Sequence, residues 1–161
     1  METIITIFTV LSMYMSASQN MNSNYWYNAE MEDGIVKTIY VFENNNEQLT
    51  RKLAYHYEYD TQGRLTEKTV CRWDEWTKEY QPEYKLEMTY QSDGYELARS
   101  VWSKKNNDWK PSTERQSYHF EGNHLSSVEY LKKGHQGQFH TTKHLYVVNT
   151  VNDMLLASEQ K

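Results

Sequence analysis

A single cysteine, Cys71, excludes an internal disulfide framework, so the folded form of this 161-residue chain is held by packing and hydrogen bonds. No cysteine follows the apolar N-terminal stretch either, which removes a lipid attachment point. There is no basic excess: 17 Lys and Arg stand against 22 Asp and Glu. That balance argues against nonspecific nucleic-acid binding, which needs a basic surface, and leaves protein and glycan partners open. Ile4 to Tyr14 is too short an apolar run to span a bilayer, so a mature form inserted in a membrane is not expected. With two prolines and six glycines, breaks are few. No apolar helical stripe stands out that would cover a flat sheet.

Aromatics fill the gap. Fourteen Tyr, five Trp and four Phe supply much of the apolar area. Tyr and Trp bury large surfaces but need partners or water for their polar atoms, which suits a sheet with a half-exposed face. Residues 1–18 have the layout of a secretory signal: a short apolar core, then Ser16-Ala17-Ser18 as small residues at a cleavage site. The n-region departs from the pattern, with Glu2 and no Lys or Arg. The competing reading is a buried first strand, since Thr3 to Leu11 is also good strand material. Cleavage after Ser18 removes one acid and leaves 17 basic against 21 acidic side chains in residues 19–161. The expectation is a secreted or periplasmic protein with one all-β domain over 19–161.

Tyr57-Glu58-Tyr59-Asp60-Thr61-Gln62-Gly63-Arg64-Leu65 is the clearest phrase in the chain. Looser versions occur around Phe42, Tyr90, Phe120 and Val148, and the anchors 59, 90, 120 and 148 recur at an interval that marks stacked supersecondary units. Two aromatics separated by one residue share a strand face, and Asp, Asn and Gly then supply a tight turn. The pattern predicts hairpins over Arg51–Asp60 with Arg64–Trp73, Tyr84–Tyr90 with Leu97–Trp102, and Glu114–Phe120 with Leu125–Leu131. Ile35–Phe42 and Phe139–Val148 complete the meander, and Met154–Ala157 is a short final strand. Connectors run through Asp74–Pro82, Lys104–Pro111 and Lys132–Gly137. Sequential hairpins pair with their neighbours, so the fold expected is an antiparallel β-meander, a curved sheet or partly closed barrel-like. Open edges need protection, which makes a homodimer an expected option.

The Tyr-x-Tyr-Asp-x-x-Gly-Arg-Leu phrase at Tyr57 to Leu65 resembles the repeat unit of YD, or RHS-type, proteins. The layout over roughly 35–155 is similar to a small secreted Bacteroides-type family, domain-of-unknown-function 3836. Only the copy at 57–65 matches the YD phrase closely; Gln91 follows Tyr90 where the phrase has Asp. Four or five copies cannot enclose a cargo, so the shell role of large YD proteins does not transfer. The smaller family implies secretion and an all-β fold, with no established activity.

Catalytic chemistry is hard to find. His140 and His144 would be about 13 Å apart on one strand face, too far for one metal ion. His56 and His119 lie in aromatic strands, and His124 and His135 in turns. Cys71 reads as an inert strand residue. Asp74-Glu75 and Glu79 with Glu83 belong to a charged connector, whereas glycosidase chemistry needs carboxylates facing across a cleft. Gly134-His135-Gln136-Gly137 lacks the context of a phosphate loop. No catalytic residue, metal site or cofactor is expected.

The binding candidates are Trp73, Trp76, Tyr80 and Tyr84 before the second hairpin, and Trp102 and Trp109 before the third. Aromatic rings hold sugars by apolar contact or anchor a protein interface; the alternative role is packing between hairpins. Trp76 and Trp109 are the stronger recognition candidates because turn residues surround them, while Trp73 and Trp102 read as sheet residues. The function expected is noncatalytic recognition of an extracellular protein or glycan. A secreted hydrolase acting on glycans or peptides is the alternative.

Overall fold

The structure, a computed structural model, describes residues 5–20 and 22–147. Among the described residues one helix, α1 (Ile7–Ser18), precedes ten strands: β1 (Tyr25–Glu32), β2 (Ile35–Asn45), β3 (Gln48–Tyr59), β4 (Leu65–Asp74), β5 (Glu79–Gln91), β6 (Gly94–Ser103), β7 (Asp108–Lys110), β8 (Glu114–Glu121), β9 (His124–Lys133) and β10 (Phe139–Tyr146). Hydrogen-bonded neighbours follow β1-β2-β3-β4-β5-β6-β8-β9-β10, with β7 paired to β6. The order does not return on itself. The fold is the expected all-β antiparallel meander.

The three predicted hairpins form as β3–β4, β5–β6 and β8–β9. Strand β5 begins at Glu79, so Tyr80 to Pro82 are strand and not connector. Three elements were not anticipated. Strand β1 carries mostly exposed residues and so lacks the alternating apolar signal. Strand β7 is three residues long, inside an expected connector. Helix α1 forms where the competing reading placed a strand. Thr6 makes a capping box with Thr9, and its backbone pairs with Arg64 in an isolated bridge. Val10 is buried, but Phe8, Met13 and Met15 are exposed, so the helix is apolar all round and shows no stripe. The strand expected at Met154–Ala157 lies outside the described residues.

The phrase at 57–65 has a physical basis at each position. The Asp60 carboxylate accepts from the backbone N–H of Gln62 and of Arg64, both at 2.9 Å, and from Arg64 Nε at 2.7 Å. Gly63 takes φ +74°, the left-handed conformation that side chains resist. Tyr59 donates its hydroxyl to the Val36 carbonyl at 3.0 Å, and Leu65 is buried.

Contacts gather the chain into two compact units. The first comprises Ile4–Met88 and Arg99–Ser112. Among its buried residues Val36, Ala54 and Val70 are almost wholly enclosed, and Ile39, Val41, Tyr57, Leu65 and Met88 are buried with them. On β4 the alternation places Glu67, Thr69, Cys71 and Trp73 on one face and Lys68, Val70 and Arg72 on the other. The second unit comprises Thr89–Ala98 and, among the described residues, 113–147. There Tyr95 stacks on Tyr118 with centroids 4.8 Å apart and on Phe120 at 6.1 Å. Gly94 answers to close approach: a Cβ there would sit 1.8 Å from the Tyr118 carbonyl oxygen.

Candidate functional site

An aromatic ledge runs along the Trp73 face of the first unit. Trp73 on β4 and Tyr80 on β5 are cross-strand partners, and their rings meet edge to face at 5.0 Å. Tyr40 of β2 continues the ledge, 5.6 Å from Tyr80, and its hydroxyl donates to Glu30. The Arg51 guanidinium lies 4.7 Å from the centre of the Trp73 ring. Arg51 is exposed, and among the described residues no carboxylate pairs with it. The Tyr80 hydroxyl is buried with no hydrogen-bond partner among the described residues, which costs about 1–3 kcal/mol.

Trp76 stands at the end of this ledge. Asp74 fixes the turn by accepting from the Trp76 N–H at 2.8 Å, and Lys78 takes a positive φ to return the chain. The Trp76 side chain is 97% exposed. Among the described residues its ring meets no other ring and no cation.

Further along the same face, Trp102 and Trp109 are cross-strand partners of β6 and β7 with rings edge to face at 5.0 Å. Lys85 reaches over Trp109 at 5.5 Å and donates to Glu67 at 3.1 Å and Glu87 at 2.9 Å. Burial pulls the Lys85 ammonium down, but its hydrogen bonds to Glu87 and Glu67 outweigh that and hold it above its ordinary value. Ser100 and Thr69 complete the network by donating to Glu87 and Glu67.

Of the six sequence candidates, Trp73 meets Tyr80 and Trp102 meets Trp109 on one face, while Trp76 stands beyond the strand ends and touches neither pair. Tyr84 lies on the opposite face. Between Val70 and Cys71 the β4–β5 register shifts, and Glu83 becomes the extra residue of a bulge. That insertion turns Tyr84 away from Tyr80, although an even spacing would place both on one face. Tyr40, Arg51 and Lys85 were missed because their place on the ledge depends on strand register, which composition does not reveal.

Other chemistry is sparse. In the second unit His119 is 3.0 Å from Asp93 and 3.7 Å from Glu129, whose other oxygen is 3.5 Å from His144. Among the described residues no three ligating side chains are placed to hold a metal ion. Cys71 is buried, and burial pushes its thiol up, away from nucleophilic character. A hollow of 390 Å³ between the end of α1 and β1 is lined by Ser18, Asn20, Ser23, Tyr25, Trp26 and Tyr27, without a carboxylate or imidazole.

Residues 1–120 match the model of a family of unknown function, DUF3836. The chain belongs to this family. Among solved structures it is similar to a protein of unknown function from Bacteroides fragilis NCTC 9343, with TM-score 0.67 and 20% identity over 80% of this chain and 95% of that one. A DUF3836 family protein from Bacteroides vulgatus ATCC 8482 gives TM-score 0.53 and 22% identity, covering 55% of this chain and 91% of that one. One from Parabacteroides distasonis ATCC 8503 gives 0.50 and 28%, covering 54% and 82%. No curated protein matches the chain. The family has no assigned activity, so function rests on the site itself.

Proposed function

We propose that this protein is an exported, noncatalytic recognition module that holds a glycan or an extracellular protein on the Trp73–Tyr80 ledge, with Trp76 as its anchor. The observation that carries the reading is Trp76. A tryptophan 97% exposed at a turn pinned by Asp74 gains nothing for the fold and is costly to leave in water. The ledge behind it offers flat rings for sugar C–H faces or apolar side chains, and Arg51 offers an unpaired donor group. Binding on such a surface is by shape and polar contacts, without a cofactor.

The hydrolase reading needs two carboxylates free to share a substrate. The close pair here, Glu67 and Glu87, is bridged by the Lys85 ammonium, which favours binding over chemistry. Export is part of the proposal: α1 is a short apolar helix ending at Ser18 with exposed Phe8, Met13 and Met15, and its removal would break the Thr6–Arg64 bridge and uncover the surface that Val10 packs on. Intact mass of the exported product tests this, with a start after Ser18 expected; a soluble product retaining Met1 would contradict it. Binding is tested by titrating the full chain against a glycan array and extracellular-protein panel beside Trp76→Ala. Loss of a saturable signal in a variant that melts like the parent is the expected result.

A further inference from the structure

Strand β1 is an edge without protection. Among the described residues it pairs with β2 alone. The Asn24 carbonyl accepts from the Asn44 N–H at 2.8 Å. Alternation then turns the backbone groups of Trp26, Asn28 and Glu30 toward β2 and those of Tyr25, Tyr27, Ala29 and Met31 outward. Natural sheet edges are blunted by proline, lysine or a bulge. β1 contains no proline, lysine or arginine, and the extra residue at its register shift, Lys37, belongs to β2. The last strand in the order, β10, shows the contrast. It bulges at Thr142, whose hydroxyl donates to the Tyr130 carbonyl, and Lys143 follows.

The side chains of β1 do not repel a partner either. Tyr25, Trp26 and Met31 are exposed. Both acids of the strand are answered within the chain: Glu30 accepts from the Tyr40 hydroxyl at 3.1 Å, and Glu32 lies 3.9 Å from the Lys37 ammonium. The end of α1 leaves a hollow beside Tyr25 and Trp26 rather than covering them.

We infer that β1 is the interface of a two-fold dimer, in which it pairs antiparallel with β1 of a second copy about an axis through Asn28. A two-fold normal to the sheet keeps every side chain on its own face, so opposed residues are an even number of positions apart. The register centred on Asn28 sets the outward-turned residues against one another, Tyr25 against Met31 and Tyr27 against Ala29. Trp26 then faces Glu30, Glu32 faces Asn24, and Asn28 faces its own image. Apolar residues meet apolar ones, and no like charges meet, so the strand is its own complement. Pairing β1 with β10 would instead be head to tail and open-ended, and the β10 bulge and Lys143 oppose it. One strand pair is a small interface, so the dimer is weak and depends on concentration.

Sedimentation of the full chain over a concentration series tests this, beside Ala29→Pro, Asn28→Asp and Asn28→Lys. The parent should pass from monomer to dimer and no further. Ala29→Pro deletes an N–H that β2 does not use, so it should keep its β-sheet circular dichroism and stay monomeric throughout. Asn28→Asp and Asn28→Lys each oppose like charges across the axis and should weaken the dimer about fivefold, while an equimolar mixture of the two should restore it. Should Ala29→Pro fail to fold, the mixture carries the test, because mixing does not mend a damaged fold. A parent that is monomeric at its highest soluble concentration, or that grows beyond the dimer, would overturn the assignment. So would association that survives a folded Ala29→Pro, as contact through Phe8, Met13 and Met15 of α1 would, or a mixture that does not recover.

Discussion

Two residues illustrate what single positions contribute. Asp60 holds three donors at one turn, and the Arg64 backbone N–H is the first of several contacts that keep its carboxyl below the usual range. Asp60→Ala should lower the melting temperature, while Asp60→Asn, which can still accept both backbone bonds, should lower it less. A group with a depressed folded pKa contributes stability above its unfolded value and loses it as pH falls through the folded one. Thermal melts between pH 7 and pH 2 should therefore fall less steeply for Asp60→Asn than for the parent. Gly94 is the second case. A Cβ in near-overlap with the Tyr118 carbonyl would force β6 and β8 apart, so Gly94→Ala should cost more than about 3 kcal/mol in urea unfolding. Gly34→Ala, in open space at φ +76°, should cost about 1–2 kcal/mol. The turn at 60–64 was legible in the sequence because the contacts of Asp60 with Gln62 and Arg64 are local, whereas the Tyr59 bond to Val36 was not.

At the scale of elements, hairpins were easier to read than their surroundings. Strands β3 and β5 alternate over 53–59 and 84–90 and are bounded by turn residues, so their existence follows from pattern alone. Strand β1 does not, because exposed Trp26 and Met31 share it with polar residues and it pairs on one side only. Helix α1 was missed for the opposite reason: a segment apolar on every side has no period to detect. Bulges set the other limit. The extra residue at Glu83 reverses the faces of Tyr80 and Tyr84, and nothing in the local composition announces it. The Trp102–Trp109 contact is a test at this scale. Trp102→Ala should cost about 0.5–1.5 kcal/mol beyond lost area, measured in a double-mutant cycle with Trp109→Ala.

For the molecule as a whole, the sequence disclosed the all-β class and the aromatic candidates but not how they are divided between faces. That division carries the functional account. One face of the first unit presents indole and phenol rings with exposed Trp76 at its end, and the other presents tyrosines covered by Lys68 and Arg99. The sheet is held by strand pairing and by buried residues such as Ala54, Val70 and Tyr57. The most direct measurement is a binding screen of the full chain against glycans and extracellular proteins, with Trp76→Ala and Trp109→Ala alongside. The account predicts saturable binding that falls by at least tenfold in Trp76→Ala, while that variant melts within about 0.5 kcal/mol of the parent. Binding that is unchanged in Trp76→Ala, or absent from the parent across both panels, would contradict it.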